Sequence, residues 1–208
     1  MDGVFMKRII KWTAILLVFV CFVTLADLVS DKTQLRDSLI RLHVVGASNA
    51  ADDQAVKLRV RDAVMAWIQR EMRGIDSIDD ARTYLRSHLA DLESVANGTL
   101  EENGVTDRAS VSFLEEEFPV REYDTFSLPS GVYQSLRIRI GEAEGKNWWC
   151  VVFPSLCLGA TAEEMRDTAA ASGFDDDLTD TLTGERGYEI RFFLLDCLGA
   201  LENFFHRG

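Results

Sequence analysis

The amino-acid sequence predicts an α+β protein: a single exported domain whose antiparallel sheet packs against two helices of the N-terminal half and one C-terminal helix, preceded by one N-terminal hydrophobic helix. Three observations carry that reading. An apolar block with basic residues in front opens the chain, apolar residues recur at helical spacing from residue 52 to 100, and the period then drops to two. With 208 residues, 47% of them hydrophobic, and only three prolines, the chain suits one substantial core.

Residues 1–29 read as an export segment. Ile9 to Ala26 is almost wholly apolar, with Lys7 and Arg8 in front, Lys11 just inside, and Asp27, Asp31 and Lys32 behind. The uninterrupted run from Trp12 to Ala26 covers about 22 Å as a helix, short against a hydrocarbon core of roughly 30 Å. A signal peptide cleaved after Ala26 and an uncleaved anchor both satisfy it. Positive charge stays on the side of synthesis, which places the rest of the chain outside. A polar neck, 30–38, then leads to the domain, 39–208.

Leu39 to Val45 is an apolar, β-branched run stopped by Gly46-Ala47-Ser48-Asn49, the pattern of a buried strand and a turn. From Asp52 to Met72, Val56, Val60, Val64, Trp67 and Ile68 share one helical face; Asp52 and Asp53 suit the positive end of the helix dipole, and Gly74 follows the last turn. Asp53, Gln54, Lys57, Arg61 and Asp62 can cap and pair along this helix. Ser77 to Asp80 resembles a capping box, and Ala81, Leu85, Leu89, Leu92, Ala96 and Leu100 continue a second helix to Asn103-Gly104. Val111 and Phe113 alternate, as do Leu136, Ile138 and Ile140, and the 141–147 connection predicts an antiparallel hairpin with Trp148 to Phe153. Residues 160–187, rich in Asp, Thr, Ala and Gly, predict a mobile loop in which 162–171 has the composition of a short helix. Tyr188, Ile190 and Phe192 alternate as a last strand, and Leu194, Leu195, Leu198, Leu201 and Phe205 take up helical spacing.

A formal net charge of -12 repels phosphate backbones, so nucleic acid is excluded as a partner, and membrane contact is expected only through the N-terminal segment. His43, His88 and His206 stand apart, with no C-x-x-C and no H-E-x-x-H, so no metal or cofactor is implied. Nucleophile elbows, phosphate loops, dinucleotide turns and the Asp-Thr-Gly loop of aspartic proteases are all missing, and no catalytic residue is nominated. His43, inside an apolar strand, reads as a hydrogen-bonded core residue; the rival is an exported envelope hydrolase with His43 as base.

Cys21 lies in the apolar segment, leaving Cys150, Cys157 and Cys197 outside, an odd count that argues against a disulfide framework. Cys150 and Cys157 are close enough for a turn at Pro154 to join them, worth about 2.5 kcal/mol by chain entropy, or to remain two buried thiols. Trp148 and Trp149 are neighbours on a strand and must face opposite ways, so one either stands exposed as a contact or packs beneath the 160–187 loop.

Two stretches, RLHVVGASNAADDQAVKLRVRDAV (Arg41 to Val64) and PSGVYQSLRIRIGEAEGKNWWCVVFPSLC (Pro129 to Cys157), resemble the stage II sporulation protein R family, and Tyr188 to Phe205 resembles its ending. The chain departs from the pattern at Glu144 and at Ser155, where the family commonly has a second proline. The resemblance implies a signal made in the forespore, passed through the export machinery into the space between forespore and mother cell. There it would activate a membrane-embedded aspartic protease, stage II sporulation protein GA, which processes the precursor of sigma factor E. It also marks Arg41, His43, Asn49, Asn147, Trp148, Trp149, Cys150 and Cys157 as contact or site-shaping residues.

Overall fold

A computed structural model of the chain describes residues 3–154, 166–167, 170, 174, 176–184 and 189–206. Helix α1 (Gly3–Ser38) leads into β1 (Ile40–Val45), followed by α2 (Ala51–Glu71), α3 (Ile78–Ser87) and α4 (Leu89–Glu102). Strands β2 (Ala109–Phe118), β3 (Arg121–Glu122), β4 (Ser127–Leu128), β5 (Gly131–Ile140) and β6 (Asn147–Phe153) come next, then α5 (Asp176–Thr183) and α6 (Glu189–His206).

The main sheet has the order β2-β5-β1-β6, with β1 parallel to β5 and antiparallel to β6. The predicted hairpin between β5 and β6 is therefore corrected: the chain does reverse after Ile140, but β1 lies between the two strands. The reason is burial. All six residues of β1 are buried, which only an inner strand with both faces covered can achieve.

One face of the sheet carries Ile40, Leu42, Val44, Leu136, Ile138 and Cys150 against Val56, Val60 and Val64 of α2 and Leu92, Ala96 and Leu100 of α4. The helix expected from Ser77 to Leu100 is two helices. Ser77 Oγ accepts from Asp80 N as the capping pattern requires, but the chain bends at His88, whose ring stacks on Tyr84 at 4.0 Å and places Nδ1 2.8 Å from the Tyr84 carbonyl oxygen. A side chain competing for a helical carbonyl at that turn accounts for the break.

The second face is covered by the C-terminal part of α1, the β3–β4 pair, α5 and α6, through Leu35, Leu39, Phe118, Tyr133, Val151, Leu178, Leu182 and Leu195. The polar neck 30–38 is thus no free linker; it continues α1, with Leu35 in the core and Asp31 held by Arg191 at 2.7 Å. Part of the expected mobile loop is likewise ordered helix, since Leu178 to Leu182 of α5 are buried. The expected strand through Ile190 and Phe192 is the first turn of α6: three alternating residues are too few to separate period two from period 3.6, and Phe192, Leu195 and Leu198 share the inward side. Tyr188, Cys157 and most of the short helix expected at 162–171 lie outside the described residues.

Candidate functional site

Strand alternation sends Arg41 and His43 of β1 to the second face, beside Ser135 and Arg137 of β5 and Val151 and Trp149 of β6. There they meet a carboxylate that the sequence reading did not nominate. Glu116 of β2 lies 2.9 Å from His43 Nδ1 through Oε1, which also accepts the Ser135 hydroxyl at 2.7 Å, while Arg137 Nη1 donates to Oε2 at 3.2 Å. Burial pushes the Glu116 carboxyl up, but the hydrogen bonds from His43 and Ser135 and the charges of His43 and Arg137 outweigh it, holding the group below the usual carboxylate range. Glu116 is the middle of three consecutive glutamates. The run looks solvated in sequence; only pairing with β5 turns its middle member inward.

Trp149 stacks on the His43 ring at 3.8 Å and meets Phe118 edge-on at 4.7 Å. His43 is 8% exposed, and its Nε2 has no hydrogen-bond partner among the described residues. Ser135 gives its hydroxyl proton to Glu116, so the three groups form a fan of donors around one carboxylate. A nucleophile–base–acid chain would need the serine directed at the imidazole instead.

Arg41 is 0% exposed. Nη2 donates to the Tyr123 hydroxyl at 2.9 Å, and the guanidinium carbon sits 4.1 Å from the Phe118 ring centre and 5.0 Å from that of Tyr133. Nε and Nη1 have no partner among the described residues, so aromatic faces carry most of what replaces water around this cation. Burial pushes the Tyr133 phenol up.

The other sequence-marked residues gather at one end of the sheet. Asn49 Oδ1 accepts from Lys146 N, and Lys57, buried in α2, donates to the Lys146 carbonyl at 2.9 Å and to Gln54 Oε1 at 2.6 Å. Gln54 reaches back to the Ser48 carbonyl, and Ser48 Oγ donates to Asp53. Burial pushes the Lys57 ammonium down, with Arg61 and Lys146 adding to the effect. These side chains tie the β1–α2 turn to the β5–β6 connection. At Gly145 any Cβ would collide with the Gly46 and Ser48 carbonyl oxygens.

Trp148 occupies the helix-side face, as alternation requires. It is 37% exposed, with the Arg61 guanidinium 4.2 Å over its ring and exposed Asn147 beside it. The predicted set therefore divides: Asn49, Asn147 and Trp148 come to one accessible end, whereas Arg41, His43 and Trp149 form the packed, charged second face. Cys150 is buried and disulfide-bonded, Cys21 and Cys197 are exposed free thiols, and Cys157 lies outside the described residues. Among the described residues no three His, Cys, Asp or Glu side chains are grouped to hold a metal ion.

The family model for stage II sporulation protein R matches residues 36–163. Stage II sporulation protein R of Bacillus subtilis (strain 168) is 32% identical over 183 residues, covering 79% of this chain and 82% of the relative. No solved structure matches.

Proposed function

We propose a function from one premise: the chain belongs to the stage II sporulation protein R family. In this reading it is made in the forespore and exported into the space between forespore and mother cell. There its domain activates the membrane-embedded aspartic protease stage II sporulation protein GA, which processes the sigma factor E precursor. The carrying observation is the continuous match over 36–163, which contains both signature stretches. An N-terminal helix long and apolar enough to cross a membrane supports export or anchoring.

The contact surface we assign is the end of the sheet presenting Asn49, Asn147 and Trp148, because an exposed tryptophan braced by an arginine is pre-organised to bury against a partner. Activation follows if that surface binds the active state of the protease more tightly than the inactive one. Cys157 is the partner we assign to Cys150, since the other two of the four cysteines are free. Peptide mapping without reductant should find the two in one cross-linked fragment.

The test is precursor cleavage in a non-sporulating host expressing the protease, with and without this chain. Cleavage should require the chain, fall severalfold in Trp148→Ala, and survive His43→Gln provided that variant folds. Cleavage indifferent to the chain would remove the activator reading. Loss in folded His43→Gln alone would restore the hydrolase alternative.

A further inference from the structure

Helix α6 carries apolar residues on two sides, one of them, with Leu195, packed into the core. Its polar side chains face the protein: Asp196 accepts from Ser130 N, Glu202 accepts from Val132 N and pairs with Lys32, Asn203 donates to the Phe118 carbonyl, and Arg191 clasps Asp31. Gly199 lies flush against Ser130, where any Cβ would strike the carbonyl oxygen. The docking is therefore specific, and the side left outward is apolar: Ile190, Phe193, Leu194, Leu201, Phe204 and Phe205 are all exposed. At 100° per residue they fall within an arc of roughly 120°, which contains no charged residue and runs for about 22 Å.

Where this stripe points follows from the contacts. Arg191 and Glu202 are about 16 Å apart along α6, yet they pair with the consecutive residues Asp31 and Lys32 of α1. The two helices must cross steeply. The residues touching α1, Arg191, Leu198 and Glu202, lie about a quarter turn from the middle of the stripe, and those touching the sheet, Asp196, Gly199 and Asn203, lie on the opposite side of α6. At its C-terminal end α1 enters the sheet through β1, so its apolar N-terminal part leaves in the direction that the stripe faces. That part is exposed throughout, from Phe5 to Asp27.

We propose that, with α1 retained, α6 lies along the bilayer surface beside the point where α1 emerges, its exposed phenylalanines and leucines sunk at the boundary between headgroups and acyl chains. An α1 standing near the membrane normal brings α6 close to the membrane plane. Burial of α1 begins at Leu28, just past the apolar span, and its pairs with α6 follow at Asp31 and Lys32, within reach of the interfacial layer. An amphipathic helix in the interface ordinarily turns its polar side to water; here the protein supplies the polar partners. This adds a second membrane contact to the one expected from the N-terminal segment, and it does not draw on the protease reading.

Cys197 is a reporter already in place, exposed within the stripe and a free thiol. In full-length Cys21→Ser it is the one free thiol among the described residues, Cys157 being assigned to the disulfide with Cys150, and it can carry a nitroxide in vesicles of phosphatidylcholine with a minority of phosphatidylglycerol. Collision with oxygen, which concentrates in lipid, should exceed that of a nitroxide on Asp62→Cys (carrying Cys197→Ser as well) severalfold, and collision with a water-soluble nickel chelate should fall severalfold. Adding Phe193→Asp and Phe204→Asp, which touch none of the inward contacts, should return the Cys197 label to the aqueous pattern. Nickel access equal to the Asp62 control would overturn the proposal. So would shielding from both oxygen and nickel, the signature of a second protein copy over the stripe, or a lipid pattern unchanged by the two aspartates.

Discussion

Leu42 and His43 are neighbours on β1, one on each face of the same sheet, and their surroundings differ in kind. On the helix side, Leu42 joins Leu136, Ile138 and Val64 in a cluster whose stability comes from area removed from water. On the other side, His43 joins Glu116, Ser135 and Arg137 in a group where each polar atom depends on the others. The first face depends on apolar volume and close packing rather than on particular polar atoms. The second is tuned to particular atoms at particular positions, and its failure modes are those of charge and hydrogen bonding.

That contrast can be broken most forcefully from the apolar side. Leu136→Ala removes a fully buried side chain and should cost about 3 kcal/mol, read from the shift in denaturant unfolding of the full chain. Glu116→Gln should cost less, about 2 kcal/mol, because the amide keeps one acceptor but loses the charge facing Arg137. A cost near zero would mean that the fan of donors contributes nothing, and the two faces would be alike after all.

Acid should then act on one face and spare the other. The Glu116 carboxyl is held below its ordinary value of 4.5, so between that lowered value and 4.5 the unfolded chain binds more protons and stability falls as pH falls. The contribution is fully present above 4.5. Glu116→Gln should flatten this acid limb of a stability–pH curve, whereas Leu136→Ala should lower the whole curve without changing its slope.

The smallest effect should come from the most buried charge. Arg41 has no carboxylate paired with it among the described residues, so Arg41→Met loses one hydrogen bond and two ring contacts but also the cost of a desolvated cation. Its unfolding free energy should stay within about 1 kcal/mol of the parent. A loss as large as that of Leu136→Ala would show that the guanidinium is compensated far better than ring contacts and one phenol allow.

How much of this was legible beforehand follows the range of the interactions. Helix α2, the capped start at Ser77, the buried strand β1 and the opposite facing of Trp148 and Trp149 were readable because each depends on residues within a turn or two of one another. The break at His88 was not, since nothing in the apolar spacing from Ala81 to Leu100 registers a ring turning back on its own carbonyl. Nor does turn chemistry decide between a hairpin and a wider reversal: residues 141–146 reverse the chain equally well with β1 admitted between the strands.

For the candidate site, sequence marked Arg41, His43, Asn49, Asn147, Trp148, Trp149 and Cys150 and separated Trp148 from Trp149, but had no means to say which of the two faces outward. Alternation and register did the sorting, placing some on the packed face and some at the accessible end. Glu116 escaped because its partners lie 73 and 19 residues away, at His43 and Ser135.

The sequence alone determined the apolar N-terminal segment, the helical and strand periods of the first 140 residues and, through two signature stretches, the family. Local periodicity and motif spacing need no knowledge of what packs where. Tertiary structure alone decided that β1 parts β5 from β6, which of three glutamates meets His43, and that α6 turns its polar side chains inward and Phe193, Phe204 and Phe205 out. Each of these depends on strand order or helix docking between distant segments, and the energy that selects it exists only once those segments are in contact.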